Sequence, residues 1–157
     1  MKYTLFIIAM LLNFQVFAQQ KPKLELFINA YVAKNMNDDV YLNAKKGVVY
    51  FYAIAFSFDQ KGQIDTLYYS NKLSPIINRL LKINRLLKDI KTKRFKYTEY
   101  AGQTVVIPFY HYNASDNFVN YETGFLTNLE SMLPENIYNK PVIIFKPIIN
   151  PYLQYVN

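Results

Sequence analysis

The chain of 157 residues has no cysteine, no tryptophan, four glycines and one histidine. Without cysteine there is no disulfide, no thiol nucleophile, no thiolate metal site and no lipid-modified cysteine behind a leader. The lone His111 cannot form a histidine pair or a multi-histidine metal centre. It alternates with Phe109 along an extended run, the pattern of a partly buried structural residue. The serines, at 57, 70, 74, 115 and 131, include none in a Gly-x-Ser-x-Gly elbow. The glycines, at 47, 62, 102 and 124, form none of the common phosphate-cradling loops. No cofactor is implied.

Eleven acidic residues remain as candidates for chemistry. Asp38 and Asp39 follow a helix, and Asp59 belongs to a turn. Asp65 lies near Gly62, but the spaced acidic ligands and terminal Glu of a calcium loop are missing. Glycosidase carboxylates meet only in space, so a small hydrolase stays open as a third functional reading. The triplet Asn113-Ala114-Ser115 fits a glycosylation site but is too common to weigh much.

Residues 1–18 read as an export signal. Lys2 is followed by the apolar run Leu5–Leu12, and Val16-Phe17-Ala18 has the small residues of a cleavage site. Asn13 and Gln15 end the apolar run well short of the roughly 20 residues of a spanning helix. Residues 19–157 are then one exported domain, periplasmic or secreted, with no transmembrane anchor after cleavage. The formal charge is +7, and nine of the eighteen cations lie between Lys72 and Lys96. Outside the cell interior, nucleic acid is an unsuitable partner for such a patch. An anionic envelope polymer or an acidic protein fits it, and a solvated helix face is the plainer explanation. Lys, Asn, Ile, Phe and Tyr share AT-rich codons, so single Tyr and Lys residues carry little functional weight.

Leu24, Phe27, Ile28, Tyr31 and Val32 recur at helical spacing and predict a helix over 23–35. Val48 to Phe58 has no charge. One face of that extended run shows Val48, Tyr50, Tyr52, Ile54, Phe56 and Phe58, the other Val49, Phe51, Ala53, Ala55 and Ser57. The lighter face suits the approach of a helix. Asp59-Gln60-Lys61-Gly62 has the chemistry of a tight hairpin turn, returning the chain as a strand over 63–70. Ser74-Pro75 is a helix start, and apolar positions from Ile76 to Ile90 predict one helix to about Thr92. Arg85 and Asp89 pair one turn apart on its polar side. Gln103 to Tyr112 reads as a strand, and Pro108 places it at a sheet edge or a bulge. Beyond it, residues 117–132 suit an irregular helix interrupted by Gly124. Pro141, Pro147 and Pro151 then bracket a short strand, Val142–Phe145, in an extended tail. The fold class is α+β: an antiparallel sheet of about three to four strands with a β-hairpin, one long basic helix packed on a sheet face, and an N-terminal helix.

Laid end to end, residues 47–112 resemble the TonB C-terminal domain and its stand-alone relatives in Gram-negative envelopes. Tyr41 and Ala44 stand at the family's lead-in, and Gly47 and Val49 start the strand. Asp59 and Gly62 make the hairpin turn, and Arg94-Phe95-Lys96-Tyr97 stands at the aromatic-basic corner. Gly102 then leads into Val105-Val106-Ile107-Pro108-Phe109. Leu42 and Tyr97 replace the family's prolines, and residues 113–157 are an irregular C-terminal extension. The resemblance implies a non-enzymatic module that captures an envelope protein or peptide by adding a strand to a sheet edge, here at Val105, Ile107 and Phe109. The alternative is a structural protein that meets an anionic envelope polymer through Lys82, Arg85, Lys88, Lys91, Lys93, Arg94 and Lys96.

Overall fold

The computed structural model describes residues 21–73, 75–93, 95–118, 133–135 and 139–153. The expected export signal and nearly all of the helix expected over 117–132 lie outside the described residues. The protein is α+β, with a five-stranded, mostly antiparallel sheet and a few helices. Helix α1 (Leu24–Lys34) and the short helix α2 (Asp38–Leu42) precede strands β1 (Val49–Phe58) and β2 (Ile64–Tyr69). Helices α3 (Pro75–Leu80) and α4 (Ile83–Thr92) follow, then a 3-10 turn at Thr98–Tyr100 and strand β3 (Thr104–Asn113). Two short strands, β4 (Val142–Ile144) and β5 (Ile148–Tyr152), end the sheet. The strand order is β2-β1-β3, and β4 and β5 lie one after the other along the far side of β3.

The hairpin between β1 and β2 has a local chemical cause. Asp59 Oδ1 accepts hydrogen bonds from the N–H groups of Lys61 and Gln63, both at 2.8 Å. Gly62 takes a φ of 74°, a conformation that a Cβ would strain. Tyr97 packs its main chain against this glycine and donates its N–H to Gly62 O at 2.7 Å. The Gly102 N–H donates to Asp59 O at 3.0 Å. The hairpin turn, the segment ending at Tyr97 and the Gly102 turn therefore meet at one end of the sheet.

The two faces of β1 are covered in the reverse of the expected way. Tyr50, Tyr52, Ile54, Phe56 and Phe58 join the main core, with Leu24, Phe27, Ile28 and Val32 of α1 and Ile77, Leu80, Leu86 and Ile90 of α3 and α4. Ala53, Ala55 and Val106 form a small cluster on the other face. The reason is area: large aromatic side chains offer far more apolar surface for the helices to cover than two alanines do.

The single long basic helix is also corrected. It is broken at Leu81-Lys82 into α3 and α4. There the chain pairs with the end of α1 instead of continuing its own helical ladder. Met36 and Leu81 form an isolated antiparallel bridge, Asn37 N–H donates to Leu80 O, and Lys82 N–H donates to Asn35 O.

Candidate functional site

Strand β3 is not at the sheet edge. It pairs antiparallel with β1 from Thr104 to Tyr112, and its other side carries β4 at Thr104–Val106 and β5 at Phe109–Asn113. Val105, Ile107 and Phe109 are fully buried, so the expected peptide-binding edge is interior. Their backbone groups also face the wrong way. The Phe58 N–H donates to Gln103 O, toward β1. Outward bonds come from Thr104 N–H to Pro141 O, Phe145 N–H to Val106 O, and Ala114 N–H to Tyr152 O. Even-numbered residues of β3 therefore serve the outer side, and odd-numbered ones serve β1.

This alternation explains Pro108 better than an edge does. Pro108 would be the next outward donor after Val106, and Pro147 the next donor from the tail. Neither has an N–H, and the outer partner breaks between β4 and β5 at that point. The tail is thus a parallel strand interrupted where two prolines face each other. Pro147 and Pro151 make β5 unreadable as a strand in the sequence, although Pro151 lies within it.

Lys140 fastens the start of this tail. Its Nζ donates to Ser57 Oγ at 2.7 Å, Phe58 O at 2.7 Å and Asp65 Oδ2 at 3.1 Å. A serine beside a lysine has the outline of a hydrolytic dyad, but the chemistry fails. A lysine base must be neutral and hold a lone pair toward the serine. Here three acceptors engage the three protons of an ammonium, and Ser57 is buried. Burial alone would raise the Asp65 pKa, but hydrogen bonds from Ser57 and Lys140 and the Lys140 charge hold it below the usual carboxylate range. The cluster is a clamp. Sequence reasoning missed it because Ser57 and Lys140 are 83 residues apart.

His111 is buried between two phenols. Its Nδ1 lies 2.9 Å from Tyr41 Oη and its Nε2 lies 2.9 Å from Tyr52 Oη. Tyr41 also donates its proton toward Met36 Sδ at 3.0 Å. That occupation assigns the tautomer: Nδ1–H donates to Tyr41, and Tyr52 donates to Nε2. Burial disfavours the imidazolium and pushes the His111 pKa down to about 4. Burial likewise raises the hydroxyl pKa values of Tyr41 and Tyr52. Tyr152 of β5 stacks on Tyr41 with ring centroids 4.3 Å apart. With both nitrogens occupied, the ring ties α2, β1 and β3 together, and it borders a depression of about 390 Å³ also lined by Asp38, Tyr41, Asn150 and Tyr152.

No protein-family model, curated protein or solved structure matches this chain.

The basic residues are placed differently. Lys82, Arg85, Lys88, Lys91, Lys93 and Lys96 are all exposed, and Arg94 lies outside the described residues. On an α-helix each step of three residues falls about 60° back around the axis and about 4.5 Å along it. Arg85, Lys88 and Lys91 therefore form an oblique row across the solvent side of α4. Asp89 does not neutralise it. Its carboxylate accepts from Asn35 Nδ2 at 3.3 Å and pairs with Lys34 of α1 at 3.5 Å, while Arg85 acts on it only through its charge and not as an ion pair within 4.0 Å. That hydrogen bond from Asn35, with the Lys34 charge, holds the Asp89 pKa below the usual range. Among the described residues, none of the six exposed cations has a carboxylate within 4.0 Å.

Two surface depressions flank α4. One, of about 410 Å³, is lined by Phe27, Asp59, Asp65, Ile90, Lys91 and Tyr97. Its carboxylates are already engaged by the hairpin turn and by Lys140. The other, of about 920 Å³, opens at the α3–α4 break and is lined in part by Lys82 and Arg85.

Proposed function

We propose that this is a non-enzymatic, exported binding module of a bacterial envelope, and that its basic face engages an anionic envelope polymer. The observation that carries this reading is the row Arg85, Lys88 and Lys91, extended by Lys82, Lys93 and Lys96, exposed and free of ion pairs among the described residues. Unpaired surface cations in one field attract a polyanion over roughly a Debye length, about 8 Å at physiological salt. The acid within this helix, Asp89, is engaged by Asn35 and Lys34 at the end of α1.

The test is retention of the folded protein on an anionic glycan matrix across a salt gradient. Retention should fall steeply over about one decade of ionic strength, from roughly 50 to roughly 500 mM salt. The triple change Lys88→Ala, Lys91→Ala, Lys93→Ala should elute at markedly lower salt. Retention that ignores both salt and the triple change refutes the reading.

Strand addition is a second reading, and a specific observation favours it. The outer side of β3 already accepts an extended segment, the chain's own residues 141–152, through backbone hydrogen bonds. An incoming peptide would take the place of this segment and would meet Thr104 and Val106, not the inward groups of Val105, Ile107 and Phe109. This reading rests on the resemblance of residues 47–112 to TonB C-terminal domains. Val106→Pro removes no bond to β1, so it should abolish peptide capture while the fold persists. Capture undiminished by Val106→Pro removes strand addition at β3.

A further inference from the structure

The groove at the α3–α4 break has a chemistry of its own. It is formed where β2 ends and where pairing with α1 interrupts the helix, so its shape follows from the tertiary contact at Met36 and Leu81. Its polar lining is three carboxamides, Asn71, Asn78 and Asn84, two cations, Lys82 and Arg85, and the phenol of Tyr69. Among the described residues, no carboxylate lines it. Asn78 Nδ2 donates to Leu73 O at 3.2 Å, which fixes that amide in place. Tyr69 is 41% exposed, a large amount for an aromatic residue in a strand.

Each component selects for a different part of a ligand. A carboxamide offers both donors and an acceptor, which suits hydroxyl groups that also do both. An exposed aromatic ring offers a flat apolar face for the C–H side of a sugar ring. Arg85 can hold a carboxylate through two parallel N–H bonds, and Lys82 adds a point charge. A phosphate-rich polyanion would use the cations and leave the ring idle, and an acidic peptide, whose backbone can meet the amides, has no sugar face to set on Tyr69. The volume, about 920 Å³, lies at the upper end of the usual range for small-molecule sites and leaves room for more than one sugar ring.

We infer that this groove is a saccharide subsite, and that the polymer engaged is an acidic glycan whose sugar units carry carboxylates. This rests on the basic-face reading above and narrows it to one ligand class. Arg85 belongs to both the groove and the row on α4, so a bound glycan would continue from the groove along Lys88 and Lys91.

The experiment compares two carboxylate polymers of matched chain length, polygalacturonate and polyglutamate, binding to the whole protein at one ionic strength. Both carry one charge per unit, and one has the rings and hydroxyls. Polygalacturonate should bind more tightly, by about five- to tenfold for one or two extra neutral hydrogen bonds. The exposed double change Asn71→Ala, Asn84→Ala should erase that preference by weakening polygalacturonate more than polyglutamate. Tyr69→Leu should do the same in part, and it serves as the second variant if the double change lowers the melting temperature. Lys88→Ala with Lys91→Ala, outside the groove, should weaken both polymers alike. Equal, salt-sensitive binding of both polymers overturns the saccharide subsite while the basic-face reading stands. Binding of neither overturns both. A preference for polygalacturonate that survives the asparagine and tyrosine changes also overturns the subsite.

Discussion

His111 makes stability depend on pH in a way that can be calculated. The ring is 2% exposed, and its pKa falls from the ordinary 6.5 to about 4 because burial disfavours the charged form. Between those values the unfolded chain holds a proton that the folded protein does not. Folding stability is therefore complete above about pH 6.5 and is lost as pH falls toward 4, below which this loss is constant. At about 1.4 kcal/mol per pH unit, the shift corresponds to about 3 kcal/mol, a large part of the stability of a small domain. Protonation also breaks the hydrogen-bond chain, because an imidazolium cannot accept from Tyr52. Urea unfolding from pH 7 to pH 4 should show this slope, and the imidazole signals of the folded protein should not titrate above pH 5. His111→Gln can still donate to one phenol and accept from the other but does not titrate, so its slope should be shallower by about one proton. The depressed carboxylates Asp65, Asp89 and Glu99 act at lower pH, as they lose their partners on protonation. A folded-state His111 titrating near 6.5, or equal slopes for wild type and His111→Gln, refutes the argument.

Gly62→Ala should be severe, because a Cβ there would lie 2.6 Å from Tyr97 main-chain atoms, at a φ of 74°. The left-handed backbone alone costs about 1–2 kcal/mol and the backbone clash adds to it, so a melt indistinguishable from wild type would show that the turn is not as described. Lys140→Met keeps most of the unbranched side chain and removes three hydrogen bonds at a partly exposed site. It should cost about 1–2 kcal/mol, discounted for solvent screening, and raise the Asp65 pKa. Both are measurable by denaturation and by carboxylate titration, and an unshifted Asp65 would mean that Lys140 does not clamp the tail.

The parts of the fold that were readable in the sequence are those whose cause is short-ranged. The alternation over Val49–Phe58 marks a strand, and Asp59 and Gly62 make their turn with partners two to four residues away. The helix start at Pro75 is equally local. The single basic helix was misread because its pattern continues unbroken through Leu81 and Lys82, while the competing partner is at Asn35–Asn37. Pro108 was a true signal of a missing donor, but its meaning depended on what lay beside it. The basic residues were all identified as candidates, yet the groove that gives two of them a shape was not, since it exists only because the helix breaks.

The sequence by itself determined the lack of any cysteine or second histidine, the strand and turn at the hairpin, and the concentration of positive charge between residues 72 and 96. Only the tertiary structure decided which face of β1 the helices cover, that residues 141–152 close the side of β3, and which atoms surround His111 and Ser57. The contacts around His111 and Ser57 join residues 59 to 83 positions apart, and β3 pairs with a tail that follows it only after a long intervening segment. Propensity and turn chemistry act over a few residues, whereas pairings at that distance form when the whole core gains more by burial than the chain loses in entropy. No local pattern carries that sum.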